Sequence, residues 1–317
     1  MSTRAENRRV LKDAMDASTL DTGGALNRQQ FDEFFQEVQD QTQVLDRVRT
    51  VALDGPEQQI DTIGVGERIL RSATEGQEGD LVSVSTGTID IDVEEVEVPF
   101  TISRRMVEDN IEGENVTDVI LDLFGTQFAV DSEDLGSIGG DPEGDLAGDD
   151  ATFAGINDGW LQLAIDANRD VVDNEGAGVV PDLFSSMLDE LHPKYKRGDR
   201  ELIFLISHSN IQAYKDHLAD RETGIGDAML MTGDEPTPFG YELVDPVGWP
   251  DEFVMLTQPE NLIWAMHRDT DLDITTEGAK KVLERLWGIG NFTSRTDYQI
   301  EDTDGVVVAE NVLTAEA

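Results

Sequence analysis

Residues able to do chemistry are few in this chain, and their spacing does not suit it. Ser207-His208-Ser209 sets a nucleophile beside a base, between a strand and a helix. A serine nucleophile needs a base within hydrogen-bond reach and an acid that orients the base. No acid partner is defined here and there is no G-x-S-x-G elbow, so Ser209 reads as a helix cap. His192, His208, His217 and His267 show no i, i+4 pair and no H-E-x-x-H. Asp141, Glu143 and Asp145 start like a calcium loop, but Leu146 stands where glycine is required and Thr152 where the closing glutamate belongs. Asp269, Asp271 and Asp273 fail in the same way at Ile274 and Lys280. Neither Gly64-Val65-Gly66 nor Gly224-Ile225-Gly226 completes a phosphate or dinucleotide loop. Cysteine is absent, which excludes disulfides and thiol catalysis. Close carboxylate pairs say nothing where 67 residues are acidic. The expectation is a non-enzyme without a cofactor, with metal binding left open.

The charge is informative. Against the 67 acids stand 23 basic residues, a formal net charge of -44, spread along all 317 positions. Such a chain repels itself in dilute buffer. At molar salt the screening length falls to about 3 Å and the repulsion largely vanishes. Only Lys12, Lys194, Lys196, Lys215, Lys280 and Lys281 are lysines. An acidic, lysine-poor surface is similar to that of proteins from salt-loving archaea, and that setting is expected here. Disorder, the other reading of high charge, is opposed by recurrent amphipathic periods. No apolar run reaches 18 residues and the N-terminus is polar, so neither membrane insertion nor a signal peptide is expected. Binding nucleic acid through a basic surface is not expected either.

The elements that must position everything else follow from period. Residues 1–22 read as a polar arm in which Arg4, Arg8 and Lys12 share a face if helical. After Gly23-Gly24, Asn27 and Gln30 form a capping pair and Leu26 can staple onto Phe31. Phe31, Phe34, Phe35, Val38, Leu45 and Val48 make an apolar stripe that must pack on the chain's own body or on a neighbouring subunit. Residues 51–102 are strand-like around an exposed tip at Ser72 to Asp80. Apolar residues are odd at Ile89, Ile91 and Val93 but even at Val96, Val98 and Phe100, which predicts a bulge or bend at Glu94-Glu95. VEVPFTI is a strand with Val96, Val98, Phe100 and Ile102 on one face. Val116, Val119, Ile120, Leu123 and Phe124 then share one helical face behind a cap at Asn115. That helix is expected to fade at 131–135 and to stop at Gly136, Gly139 and Gly140. A glycine- and aspartate-rich loop, 141–158, separates it from a second module. There, helices are expected at Trp160 to Ala167, at Leu183 to Leu191 and after Ser209, with a buried strand at Leu202 to Ile206. Residues 221–240 read as loop, with short strands around 242–244, 253–256 and 262–266. From 271 to 312 the chain is mostly strand, with 280–287 open between helix and strand.

Four stretches, in this order, resemble the tailed-virus major capsid proteins of the Hong Kong 97 fold. GGALNRQQFDEFFQEVQDQTQVLDRVR is similar to the start of that family's N-terminal arm. VPFTISRRMVEDN with the following helix and Gly139-Gly140 resembles its strand, polar turn, spine helix and glycine exit. FLISHSNIQAYKDHLADRETGIGDAMLMTG with Pro238 and Gly240 resembles its axial-domain strand, helix and loop. DYQIEDTDGVVVAENV is similar to its closing strands. The resemblance implies an α+β capsid fold in five parts. These are an N-terminal arm (1–50), an extended β-loop with the strand that follows (51–102) and a peripheral domain with its spine helix (103–154). An axial domain (155–270) and closing peripheral strands (271–317) complete it. It implies inter-subunit contacts through Phe31, Phe34, Phe35, Val38, Arg68, Ile69, Arg71 and Leu81, with Arg4, Arg8 and Lys12 facing DNA. Copies of the chain would form hexamers and pentamers of an icosahedral virion shell around double-stranded DNA, assembled in the host cytoplasm. Scaffold, portal and minor capsid proteins would be partners, and no membrane. Some members join an extended-loop lysine to an asparagine of a neighbour; residues 57–98 hold no lysine, so no such cross-link is expected. About twenty residues precede the arm, so a separate scaffold protein is expected. An encapsulin-like compartment shell and a halophilic soluble enzyme are the alternatives.

Overall fold

Stretches of period 2 become strands and those of period 3.6 become helices. The computed structural model describes residues 42–55, 57–64, 85–103, 116–140, 151–167, 171–196, 201–219, 236–267, 271–275 and 286–312. In chain order the strands are β1 (Arg49–Leu53), β2 (Glu57–Gly64), β3 (Ser85–Asp92), β4 (Glu94–Ser103), β5 (Val171–Asp173) and β6 (Ile203–Ile206). They continue with β7 (Glu242–Val244), β8 (Val254–Thr257), β9 (Leu262–His267), β10 (Asp271–Thr275), β11 (Leu286–Ile300) and β12 (Val307–Glu310). The helices are α1 (Val116–Ile138), α2 (Ala151–Ala154), α3 (Trp160–Asp166), α4 (Pro181–Glu190) and α5 (His208–Ala219).

Two five-stranded sheets and one hairpin account for these strands. β11 organises the first sheet: it pairs antiparallel with β4 along Leu286–Thr296, with β10 along Ile289–Thr293 and with β9 along Thr296–Ile300. β1 joins parallel to β9. The second sheet has the order β5-β12-β8-β6-β7. β9 therefore lies in the sheet of β11, and β12 lies in the sheet of β6 and β8; the chain crosses between sheets after residue 257 and again after residue 300. Among the described residues β2 and β3 pair only with each other, antiparallel, from Glu57↔Asp92 to Gly64↔Ser85.

The run Ile203–Ile206 lacks alternation because both faces of its sheet are covered. Ile203 and Leu205 join Met255 and Val308 in the core shared with the first sheet. Phe204 and Ile206 join Val254 and Leu256 in a second core under α4 and α5. Phe184 anchors that core, edge-to-face against Phe204 at 4.8 Å and Tyr214 at 5.1 Å.

The parity change expected at Glu94-Glu95 takes the form of a change of partner. Both residues are exposed, with Val93 buried before them, and the break in the strand falls at Val93. β3 leaves β2 there, and β4 begins against β11 in unbroken register from Thr296↔Glu94 to Gly288↔Ile102. The irregularity in that ladder lies instead between Leu286 and Gly288.

Helix α1 runs past its expected end at 135 and through Gly136. A Cβ at Gly136 would stand 2.8 Å from the Trp160 ring and 3.0 Å from that of Tyr298, so this glycine makes room for two aromatics. Gly139 and Gly140, at φ +107, make the exit. Gly140 N–H donates to the Ala154 carbonyl at 2.7 Å and Gly159 N–H to the Gly139 carbonyl at 2.9 Å, stitching the end of α1 to α2 and to the start of α3. A Cβ on Gly139 would lie 2.4 Å from the Asn157 carbonyl oxygen. Gly139→Ala should therefore destabilise the fold by about 3 kcal/mol, at the upper end for overpacking, read as a lower denaturation midpoint in urea.

The described part of α1 lies against the closing strand β11. Phe128 meets Phe292 edge-to-face at 5.2 Å, and Tyr298 donates its hydroxyl to the Ser132 carbonyl at 2.6 Å. The side chains of Val116, Val119, Ile120, Leu123 and Phe124 lie outside the described residues. The cap of α5 is Ser207, which accepts the Asn210 N–H at 3.3 Å, and not Ser209.

Candidate functional site

All eleven residues expected at contacts or near DNA lie outside the described residues. They are Arg4, Arg8, Lys12, Phe31, Phe34, Phe35, Val38, Arg68, Ile69, Arg71 and Leu81. The structure describes instead the roots of the two segments that carry most of them.

The first root is residues 42–48. Its apolar positions seal it to the body: Val44, Leu45 and Val48 are buried in the main core with Trp160 and Trp264. Its backbone is held by Glu133 of α1, which is 1% exposed. Glu133 Oε2 accepts the Val44 N–H at 3.0 Å and, less closely, the Leu45 N–H at 3.5 Å. Oε1 accepts the Val247 N–H at 3.0 Å, so one carboxylate joins the arm root, the spine helix and the turn after β7. Arg47 adds a two-pronged pair to Glu242, at 2.8 and 3.0 Å. Sequence reading missed Glu133, although Ala129 four residues earlier marks it as an acid on the buried face of the helix.

The second root is the end of the hairpin. Ile91 and Val93 turn into a small core with Leu53 and Ala265. Beside them the Asp297 carboxylate of β11, 7% exposed, accepts the Asp92 N–H at 3.1 Å, the Tyr298 N–H at 2.8 Å and Gln299 Nε2 at 3.3 Å. Burial pushes the Asp297 carboxyl up to about 6, although those three hydrogen bonds pull it back. A pocket of about 360 Å³ opens here, lined by Asp90, Asp92, Glu94, Asp158 and Asp297 among others, with no basic residue among the described residues of its lining.

Ser207 and His208 do have acidic neighbours that the sequence did not reveal, but the two are split. Ser207 Oγ donates to Asp251, whereas His208 Nδ1 faces Asp245 at 3.1 Å with most of its ring in solvent. Asn210 Nδ2 donates to the Asp251 carbonyl at 2.7 Å, so the Ser207 cluster fastens a helix cap to a turn. Among the described residues no group of three or more His, Cys, Asp or Glu side chains could hold a metal ion, and no helix is long and apolar enough to cross a membrane.

This arrangement of spine helix, two sheets and separate hairpin is that of known capsid subunits. The satellite phage P4 procapsid that includes the size determination (Sid) protein superposes with a TM-score of 0.64 at 14% identity, covering 98% of each chain. The capsid of a native GTA particle matches at 0.58 and 14% identity, over 84% of this chain and 88% of that one. A virus-like particle from Pyrococcus furiosus matches at 0.51 and 10% identity, over 96% and 98%. The fold is thus the α+β Hong Kong 97 capsid fold. No family model matches the chain. In sequence it is 30% identical over 316 residues to "Putative prophage capsid protein YqbE" of Bacillus subtilis (strain 168), covering 95% of this chain and 97% of that protein. The chain belongs to the phage capsid protein family. It is a structural protein of the virion and not an enzyme.

Proposed function

We propose that this chain is a major capsid protein that self-assembles as hexamers and pentamers into an icosahedral shell around double-stranded DNA. The observation that carries the reading is the full-length likeness, in fold to a procapsid and in sequence to a prophage capsid protein. In this reading the sheet of β1, β4, β9, β10 and β11 with α1 is the peripheral domain. The sheet of β5, β6, β7, β8 and β12 with α4 and α5 is the axial domain, and β2–β3 is the extended loop. The arm residues Phe31, Phe34, Phe35 and Val38 and the loop residues Arg68, Ile69, Arg71 and Leu81 make contacts between subunits, and Arg4, Arg8 and Lys12 face the DNA. Phe239, 60% exposed and held at φ 54, is a further contact residue: a large apolar side chain on strained backbone in solvent is a costly arrangement without a neighbour. No lysine–asparagine cross-link forms through the extended loop, because 57–98 has no lysine. Scaffold and portal proteins, and minor capsid proteins where the shell carries them, are the partners.

In this reading the charge of -44 is an adaptation of the shell to brine, and the virus is one of a salt-loving archaeon. Protein purified in molar salt should show closed shells or capsomers by negative-stain microscopy, and dilution to low salt should take them apart within the same preparation. A compact monomer in molar salt overturns the shell reading. Particles indifferent to dilution overturn only the salt argument. The likeness to the Pyrococcus furiosus virus-like particle is one of fold alone, and a compartment shell of the same fold that encloses protein cargo is the second reading. Particles that carry nucleic acid exclude it.

A further inference from the structure

The second sheet ends in two short strands whose outer edges are open among the described residues, β5 on one side and β7 on the other. β7 runs parallel to β6 and β5 parallel to β12, while β8 is antiparallel to both β6 and β12. β5 and β7 therefore run in the same direction, and their first residues lie toward the same end of the sheet. Val171 opens β5, and Phe239 stands in the turn just before β7. Among the described residues these are the two large apolar side chains left exposed, Val171 at 39% and Phe239 at 60%. Both are held in place. Phe239 and Gly240 sit at φ 54 and 88 in a turn closed by Gly240 N–H on the Thr237 carbonyl and Tyr241 N–H on the Pro238 carbonyl. Val171 is paired with Val308, and Val172 beside it packs on the second core.

We propose that Phe239 of one copy seats on Val171 of the next, so that the β7 edge of each second sheet meets the β5 edge of its neighbour in a head-to-tail ring. This rests on the shell reading and gives its exposed contact residue a partner. Two unlike patches on opposite edges suit a rotational ring, in which one patch of each copy meets the other patch of the next and the last copy closes on the first. A twofold dimer would set Phe239 against itself and leave Val171 in water. The shared end of the sheet matters too, because rotation about an axis running along the strands then carries one patch toward the other. Val171 is level with Val244, five residues after Phe239, so neighbouring sheets meet with their strands tilted to the ring axis. The contact is apolar, and molar salt does not screen it as it screens a charge pair. Phe239 is its anchor, since a few buried aromatic side chains carry most of the energy of an interface.

The chain has no cysteine, so introduced cysteines report the contact without background. The full-length double variant Val171→Cys, Phe239→Cys, assembled in molar salt and oxidised, should run as a ladder of disulfide-linked oligomers on a non-reducing gel. Either single variant should stay monomeric on that gel. Particles seen by negative-stain microscopy that give no ladder overturn the contact and leave the shell reading standing. Linked dimers from Phe239→Cys alone overturn it in favour of a twofold contact. A wild type that forms neither shells nor capsomers overturns the shell reading, and this inference with it. Should the double-cysteine chain not assemble, alanine variants decide. Phe239→Ala should raise the subunit concentration needed for assembly by roughly tenfold, and adding Val171→Ala to it should raise it no further. Two losses that simply multiply overturn the contact, because residues that do not touch act independently.

Discussion

Replacing Glu133 with alanine should lower the stability of the folded chain by about 3–5 kcal/mol, measured by urea denaturation in constant high salt. The carboxylate is buried and accepts amides from two segments far away in sequence, Val44–Leu45 and Val247. A charge-assisted hydrogen bond contributes about 1.5–3 kcal/mol, and a buried donor left without its acceptor costs about as much again as its own desolvation. Two of the three bonds are short enough to count in full. Glu133→Gln keeps one oxygen but turns an N–H₂ toward one of the amides, so it should fall between wild type and alanine. The position of Glu133 also separates two consequences. Loss of the Val44 contact frees the arm root, and loss of the Val247 contact frees the turn between β7 and β8. Protease sensitivity near residue 45 should therefore rise in Glu133→Ala before global unfolding. An alanine variant as stable as the wild type, with the same cleavage pattern, would show that other contacts hold the arm root.

Trp160→Ala should destabilise by a similar amount, about 3–5 kcal/mol, by a different route. Trp160 is fully buried and is the first residue of α3. Its ring sits edge-to-face on Tyr298 at 5.3 Å and on the bare backbone of Gly136, and its Nε1–H donates to the Ile263 carbonyl at 3.0 Å. The side chain thus touches α1, β9 and β11 at once, in the core that also receives Ile203, Leu205 and Val308 from the other sheet. Removing it opens a cavity that Tyr298 cannot move to fill, because its hydroxyl is fixed by its bond to Ser132. Trp160→Phe should recover more than half of the loss, since it restores most of the volume and forgoes only the indole bond. If alanine here costs under ~1 kcal/mol, the two sheets are not joined through this core.

Most elements were legible because their signals are local. Val96, Val98, Phe100 and Ile102 declare a strand by alternation, and Leu183, Phe184 and Met187 a helix by spacing; each forms where expected. The run Leu202 to Ile206 could be read as buried on both sides because nothing in it is polar. The sequence by itself also determined the charge, the absence of cysteine and the lysine-free stretch 57–98, since composition needs no fold. Order along the chain was enough to resemble the capsid family, and comparison with a prophage capsid protein places the chain there.

Only the tertiary structure decided the rest, and in each instance the cause is a partner distant in sequence. Gly136 looked like a stop because glycine is a poor helix former; its place inside α1 follows from the rings of Trp160 and Tyr298, which leave no room for a Cβ. Ser207 takes the cap instead of Ser209 because Asp251, 44 residues on, binds its hydroxyl. β9 and β12 exchange sheets, which no local period encodes, because strands choose neighbours by register and burial across the whole body. Glu133 and Asp297 are two among 67 acids in the sequence. What distinguishes them is burial beside backbone amides of the arm and the hairpin, and burial is set by packing that residue type and spacing do not carry.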